Sequence, residues 1–211
     1  MKINCVNLKE GEYVKEESKK RSIVLHHTAG GKKAEDVVKC WNTDTRGKIG
    51  TAYVIGYDGT IIQCFDDKYW AYALGVTSPN YRELEKQSIQ IEVCAYGFLS
   101  KHDNEYFNAY GSKVAVEEVA ILDTPFKGFF YYHKYSDAQI ASLKELVETL
   151  CKKHSIKGCL NRTDFSYSKN AMNGAPGFWT HNSFRADKSD IYPDSRILNT
   201  FKKGWHAEFS S

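Results

Sequence analysis

The sequence reads as one mixed α/β domain spanning residues 1–211. Three observations carry that reading. Two runs of β-forming residues, Ala52–Gly56 and Thr60–Cys64, meet through Tyr57-Asp58-Gly59, a strong hairpin signal. A one-sided apolar helix pattern begins at Ser136. Between and beyond these, no repeat, low-complexity linker or composition shift marks a second domain. Hydrophobic residues at 42% and charged residues at 26% suit an ordinary globular core.

Taken in order, residues 9–22 are rich in lysine and glutamate and read as a solvated lead-in. A strand is expected at about 22–27, followed by a helix over Lys33–Trp41, where Ala34, Val37, Val38 and Trp41 recur at helical spacing. The hairpin follows, then a short strand over Ser88–Ala95. In the helix from Ser136 to about His154, Ser136 and Gln139 have capping-box spacing, and Ile140, Leu143, Leu146, Val147 and Leu150 mark its buried face. Residues 161–192 are rich in Gly, Ser, Asn and Asp and read as irregular, a length of loop that is often functional. A last short helix is expected over Asp194–Trp205.

Composition excludes several function classes. The net charge of +3 is too small to argue for nucleic acid. No segment approaches membrane-spanning length, and the N-terminal residues lack the apolar stretch of a signal peptide. The expectation is synthesis in the cytoplasm, with any extracellular work reached by another route. The six cysteines include no Cys-x-x-Cys pair and read as free, mostly buried thiols, with pairing of Cys151 and Cys159 left open.

Chemistry is suggested first by His26, which follows three β-type apolar residues and precedes Gly30-Gly31. That context holds an imidazole at the rim of a sheet, although a backbone-satisfied strand-end histidine fits equally. Far along the chain, His181 and Asp190 lie nine residues apart in the irregular stretch. With His26 they form a two-histidine, one-carboxylate set, the stoichiometry of catalytic zinc with one exchangeable position. Non-haem iron oxygenases use the same set. Their usual His-x-carboxylate pair includes none of these three residues, which favours zinc. Spacing alone reaches metal-assisted hydrolysis and no further.

Five segments in register then carry a resemblance. They are Leu25-His26-His27-Thr28-Ala29-Gly30; Ala52-Tyr53-Val54-Ile55 with Asp58-Gly59-Thr60-Ile61; Trp70 to Gly75; Ser88 to Glu92; and His181 followed by Lys188-Ser189-Asp190. Over about residues 20–200 the chain resembles the N-acetylmuramoyl-L-alanine amidases of the type-2 amidase and peptidoglycan-recognition superfamily, phage endolysin-like members above all. The resemblance implies a central mixed β-sheet flanked by α-helices, with no separate cell-wall-binding domain. It implies hydrolysis of the amide between N-acetylmuramic acid and L-alanine in peptidoglycan or muropeptides. One zinc would be held by His26, His181 and Asp190, as in the aspartate-liganded branch.

By the same resemblance, Glu92 would move the proton and Lys188 would stabilise the oxyanion, a class of interaction typically contributing about 3 kcal/mol. The alternatives are a strand-end ion pair for Glu92 and a solvated loop position for Lys188. Trp70, Tyr72, Ala73, Trp179, Thr51 and His27 are the candidates for the substrate groove, with His27 beside the site. His102, His133, His154 and His206 read as exposed. The chain departs from the family in four places: Ala73 where a cleft histidine is usual, Ala52 where many members carry histidine, Thr51 where some carry tyrosine, and Gln90 in place of the strand glycine. A non-catalytic or weakened peptidoglycan binder therefore stays open, as does an amidase of other substrates. A monomer is favoured, with no membrane partner.

Overall fold

A computed structural model of the chain describes residues 2–45, 48, 50–158, 160 and 162–202. Along the chain lie β1 (Ile3–Cys5), β2 (Ser22–His27), α1 (Ala34–Thr43), β3 (Tyr53–Ile55), β4 (Ile61–Gln63), α2 (Tyr81–Gln87) and β5 (Ser88–Val93). Next come β6 (Ser100–His102), β7 (Glu105–Phe107), β8 (Lys113–Val114), β9 (Val119–Phe126), β10 (Phe129–His133) and α3 (Asp137–His154). The chain finishes with α4 (Lys169–Met172), β11 (Gly177–Thr180), α5 (His181–Phe184) and α6 (Ser195–Phe201). Six strands form the central mixed sheet in the order β1-β4-β3-β5-β2-β11, parallel throughout except for the β3–β4 hairpin. The class is thus α/β, with helices packed against a central sheet.

Period-2 alternation along β2 and β5 divides the molecule. Ile23 and Leu25 pair in register with Ile89 and Ile91, and all four join the main core with Leu143, Leu146, Val147 and Leu150 of α3 and Ile197 and Phe201 of α6. Val24 sits in a second, smaller cluster with Leu74, Leu84 of α2, Ala171 of α4, Trp179 and Phe184. Each fully buried aliphatic side chain of these clusters contributes about 1.5–3 kcal/mol. Among the described residues, no helix is long and apolar enough to cross a membrane.

The expected hairpin closes with Gly56 N donating to Thr60 O at 2.8 Å, and Asp58 accepts from Thr60 N at 2.9 Å. Gly59 takes a φ of +86°, a region that a side chain would strain. The expected capping box also forms: Ser136 Oγ accepts from Gln139 N and Gln139 Oε1 accepts from Ser136 N, both at 3.0 Å. Gln139 does more than cap. Its Nε2 donates to Ile55 O at 3.3 Å and Cys94 O at 2.9 Å, fastening the start of α3 to the ends of β3 and β5.

Several expectations are corrected. The stretch 161–192 contains the edge strand β11 and two short helices, because four residues pairing with β2 need no alternating pattern to form a strand. The lead-in is not wholly solvated: Lys20 is buried, donating to Tyr69 O and Lys86 O at 2.7 Å each, and burial pushes its ammonium down to about 8 against the pull of Asp67. His133 is fully buried, its Nδ1 accepting from Tyr96 N at 3.3 Å. His154 is half-buried on Asp67, while His102 is exposed as expected. Cys5, Cys40, Cys64, Cys94 and Cys151 are free, though Cys5 and Cys40 are exposed. Cys159, His206 and the end of the last expected helix, residues 203–205, lie outside the described residues.

Asp67, 1% exposed, ties the end of α3 to the sheet. It accepts from Tyr53 Oη at 2.7 Å and from Lys153 Nζ at 2.8 Å, with His154 Nε2 at 3.0 Å. Burial opposes its charge, but the hydrogen bonds from His154, Lys153 and Tyr53 outweigh this and hold the carboxyl well below its ordinary 3.8. Asp67→Asn should therefore lower the unfolding free energy by about 3 kcal/mol at neutral pH. Because the folded-state pKa is depressed, that difference persists above about pH 4 and narrows as pH falls further, which urea titrations at several pH values measure.

His133 gives the opposite handle. Burial drops its pKa from 6.5 to about 4, although Glu118 beside it favours the charged form. It stabilises the fold while neutral, and this contribution is lost as pH falls from about 6.5 towards 4, at no more than about 1.4 kcal/mol per pH unit. In His133→Gln, melting temperature should fall less steeply across that window than in the wild type.

Candidate metal centre

His26 is the penultimate residue of the buried strand β2, on the face opposite the main core, and its register partner on β5 is Glu92, so the two side chains emerge side by side. Residue 181 follows directly on β11, which pairs with β2, and a short loop after α5 returns Asp190 to the same place. The three side chains converge. One ligand atom from each of His26, His181 and Asp190 lies within 4.8 Å of the others, and all three residues are buried. Asp190 Oδ2 stands 2.9 Å from His181 Nδ1 and 3.4 Å from His26 Nδ1. Two donors each about 2.0–2.1 Å from a tetrahedral ion lie about 3.3 Å apart, so the spacing suits such an ion.

The hydrogen bonds decide which nitrogens are free. His26 Nε2 lies 2.8 Å from Gln90 Oε1, and Gln90 Nε2 donates to Glu85 Oε2 at 2.6 Å. A carboxylate accepts, so the Gln90 amide is oriented and His26 carries its proton on Nε2. His181 Nε2 lies 2.9 Å from Leu74 O, which likewise only accepts. Both Nδ1 lone pairs are thereby turned towards Asp190 Oδ2. Such a set of donors can be satisfied by a shared proton or by a cation held between them.

Electrostatics agree. Burial lowers the pKa of His26, with His181 adding to the effect and Asp190 opposing it. Burial works against the charge of Asp190, but His181 and His26 outweigh it and hold the carboxyl well below the usual range. For Glu92, burial pushes the carboxyl well up, the charge of Asp190 adds to this, and Lys188 opposes it. Glu92 Oε2 is buried without a hydrogen-bond partner among the described residues. Lys188 is half-buried, and its main-chain N donates to Arg185 O at 3.2 Å.

The groove candidates fare unevenly. Tyr72 and Ala73 are half-buried on the segment whose Leu74 carbonyl meets His181. Trp179 is largely enclosed, its indole donating to Ala175 O at 3.0 Å. Three candidates are corrected. Trp70 is 1% exposed and gives its indole N–H to Glu16, so it braces the wall from behind. Thr51 is buried with its hydroxyl donating to Tyr53 O at 2.9 Å. His27 points to the other face of the sheet by strand alternation, 3.0 Å from Tyr135 Oη, and a Cβ on Gly97 would come 3.0 Å from its ring. A cleft of about 570 Å³ between β9 and residues 192–196 includes none of the three ligand residues. Sequence reasoning passed over Gln90 as a modest change and missed Glu85, whose setting in a charged helical stretch gave no signal.

Comparison with known proteins follows the same line. A family model described as N-acetylmuramoyl-L-alanine amidase matches residues 16–193. Among solved structures, a mutant endolysin from Bacillus subtilis is similar with a TM-score of 0.56 at 16% identity, covering 95% of this chain and 96% of that one. A selenomethionine derivative of AmpD gives 0.55 at 13% identity, over 94% and 93% of the two chains. The Ph2119 endolysin, from Thermus scotoductus MAT2119 bacteriophage Ph2119, gives 0.52 at 16% identity, over 94% and 98%. At such identities the likeness establishes a shared fold. No curated protein sequence matches. The family match runs from ahead of β2 to past Asp190, and the chain belongs to the N-acetylmuramoyl-L-alanine amidase family.

Proposed function

We propose that this chain is a zinc-dependent amidase, acting as a single catalytic domain, that hydrolyses the bond between the lactyl group of N-acetylmuramic acid and L-alanine in peptidoglycan. One observation carries the reading: two Nδ1 lone pairs and a carboxylate oxygen converge within 4.8 Å, in a chain of the amidase family. His26, His181 and Asp190 would hold the ion, and neutral imidazoles with one carboxylate form a donor set that zinc accepts. Bound there, zinc supplies Lewis acidity to the scissile carbonyl and to the attacking water.

The remaining work falls to the chain's own side chains. Glu92 stands beside His26 with a raised pKa and an unengaged oxygen, so it can take a proton from water and release it again. As the carbon–nitrogen bond breaks, that proton passes to the departing amine of alanine. Lys188, close enough to Glu92 to bear on its titration, would offset the charge that develops on the former carbonyl oxygen. Tyr72 and Ala73, half-buried beside the Leu74 carbonyl that meets His181, would contact the substrate.

The purified protein should carry about one equivalent of zinc by elemental analysis, and His181→Ala should lose it. Unchanged metal content in that variant would remove the site. On purified cell walls, the zinc-loaded protein should release peptides that begin with L-alanine. Zinc retained with intact walls would favour the binding-protein reading. Glu92→Gln should keep its metal while turnover falls by about 10²- to 10⁴-fold, and undiminished turnover would take the proton-transfer role from Glu92.

A further inference from the structure

Behind the three candidate ligands runs a closed circuit of buried polar groups. His26 Nε2–H donates to Gln90 Oε1 at 2.8 Å, and Gln90 Nε2 donates to Glu85 Oε2 at 2.6 Å. Glu85 Oε1 accepts from Leu74 N at 2.9 Å, and Glu85 Oε2 accepts from Ala73 N at 3.2 Å. Leu74 O, the other end of that residue, accepts from His181 Nε2 at 2.9 Å. Gln90 and Glu85 are 5% and 2% exposed, so water has little access to compete for these contacts. Every member is directional. Glu85 can only accept from the three N–H groups that face it, which orients the Gln90 amide, which in turn fixes the proton on His26.

We propose that Gln90 and Glu85 are positioning residues that set the tautomer and ring orientation of His26 and His181 together, before any metal is present. The proposal rests on the reading of His26, His181 and Asp190 as metal ligands. It also accounts for one departure from the family pattern. Glutamine at position 90, where glycine is usual, supplies an amide that glycine cannot. A single carboxylate thus links the two histidines, one on β2 and the other at the start of α5. Losing such outer partners typically weakens metal affinity by about 10- to 100-fold.

The test has a readout that needs neither metal nor catalysis. In the metal-free wild-type protein, long-range nitrogen–proton correlation spectra should show a proton on Nε2 of both His26 and His181, whichever Nδ1 shares a proton with Asp190. Gln90→Leu preserves bulk without the amide; in it His26 should populate both tautomers, and zinc should bind about 10- to 100-fold more weakly at unchanged far-ultraviolet circular dichroism. Glu85→Gln should loosen both rings. A bare Nε2 on either ring in the wild type would overturn the proposal, as would zinc affinity in Gln90→Leu within about twofold of the wild type. Should Gln90→Leu fail to fold, the wild-type spectrum still decides. Wild-type protein with both Nε2–H tautomers but no zinc uptake would instead sink the metal reading and leave the circuit standing.

Discussion

The parallel register of β2 against β5 is the constraint on which the rest depends. It sets His26 opposite Glu92 and Val24 opposite Gln90, so four side chains of one face are fixed by the backbone ladder before any side chain chooses a rotamer. A slip of one residue would send His26 into the main core and Leu25 to the site. Two apolar pairs, Ile23 with Ile89 and Leu25 with Ile91, resist that slip, since that face of both strands lies in the main core with α3. The hydrophobic effect therefore holds the chemistry in place indirectly, by making only one register tolerable.

Burying polar groups on an interior strand carries a cost that only full hydrogen bonding offsets. The centre meets it through long-range partners. Gln90 reaches α2, the loop before α2 reaches His181, and α5 returns Asp190 to the face where β2 ends. Glu92 is the exception, with one oxygen left unengaged. An incompletely satisfied carboxyl among satisfied ones is the kind of local conflict that marks a working residue.

Local signals in the sequence were enough for the hairpin, for α1 and for α3 with its capping box, because each depends on residues within one turn or one pair of strands. His26, His181 and Asp190 were singled out by residue type and family register, and the fold brings the three together. What escaped depended on partners remote in sequence. The strand β11 is four residues long and owes its pairing to β2. His133 looked solvated among polar neighbours, yet Tyr96 and Tyr57 close over its ring. Trp70, Thr51 and His27 had the right residue types for a groove, but strand alternation and burial turned them inward or to the other face. The strands from β6 to β10 left no pattern that the reading used. Glu85 was invisible because a carboxylate in a charged helix is ordinarily solvated, and only the fold brings Gln90 to it.

Gln139, described above as a helix cap, also has a bearing on timescale. Its amide joins the first turn of α3 to Ile55 O and Cys94 O, and Cys94 is two residues from Glu92. Fraying at a helix start is ordinarily a fast, private event. Here the first turn cannot open without releasing the rims of two central strands, so its opening inherits the slowness of the sheet. The end of β5 that carries Glu92 is held still by a helix that never touches it chemically.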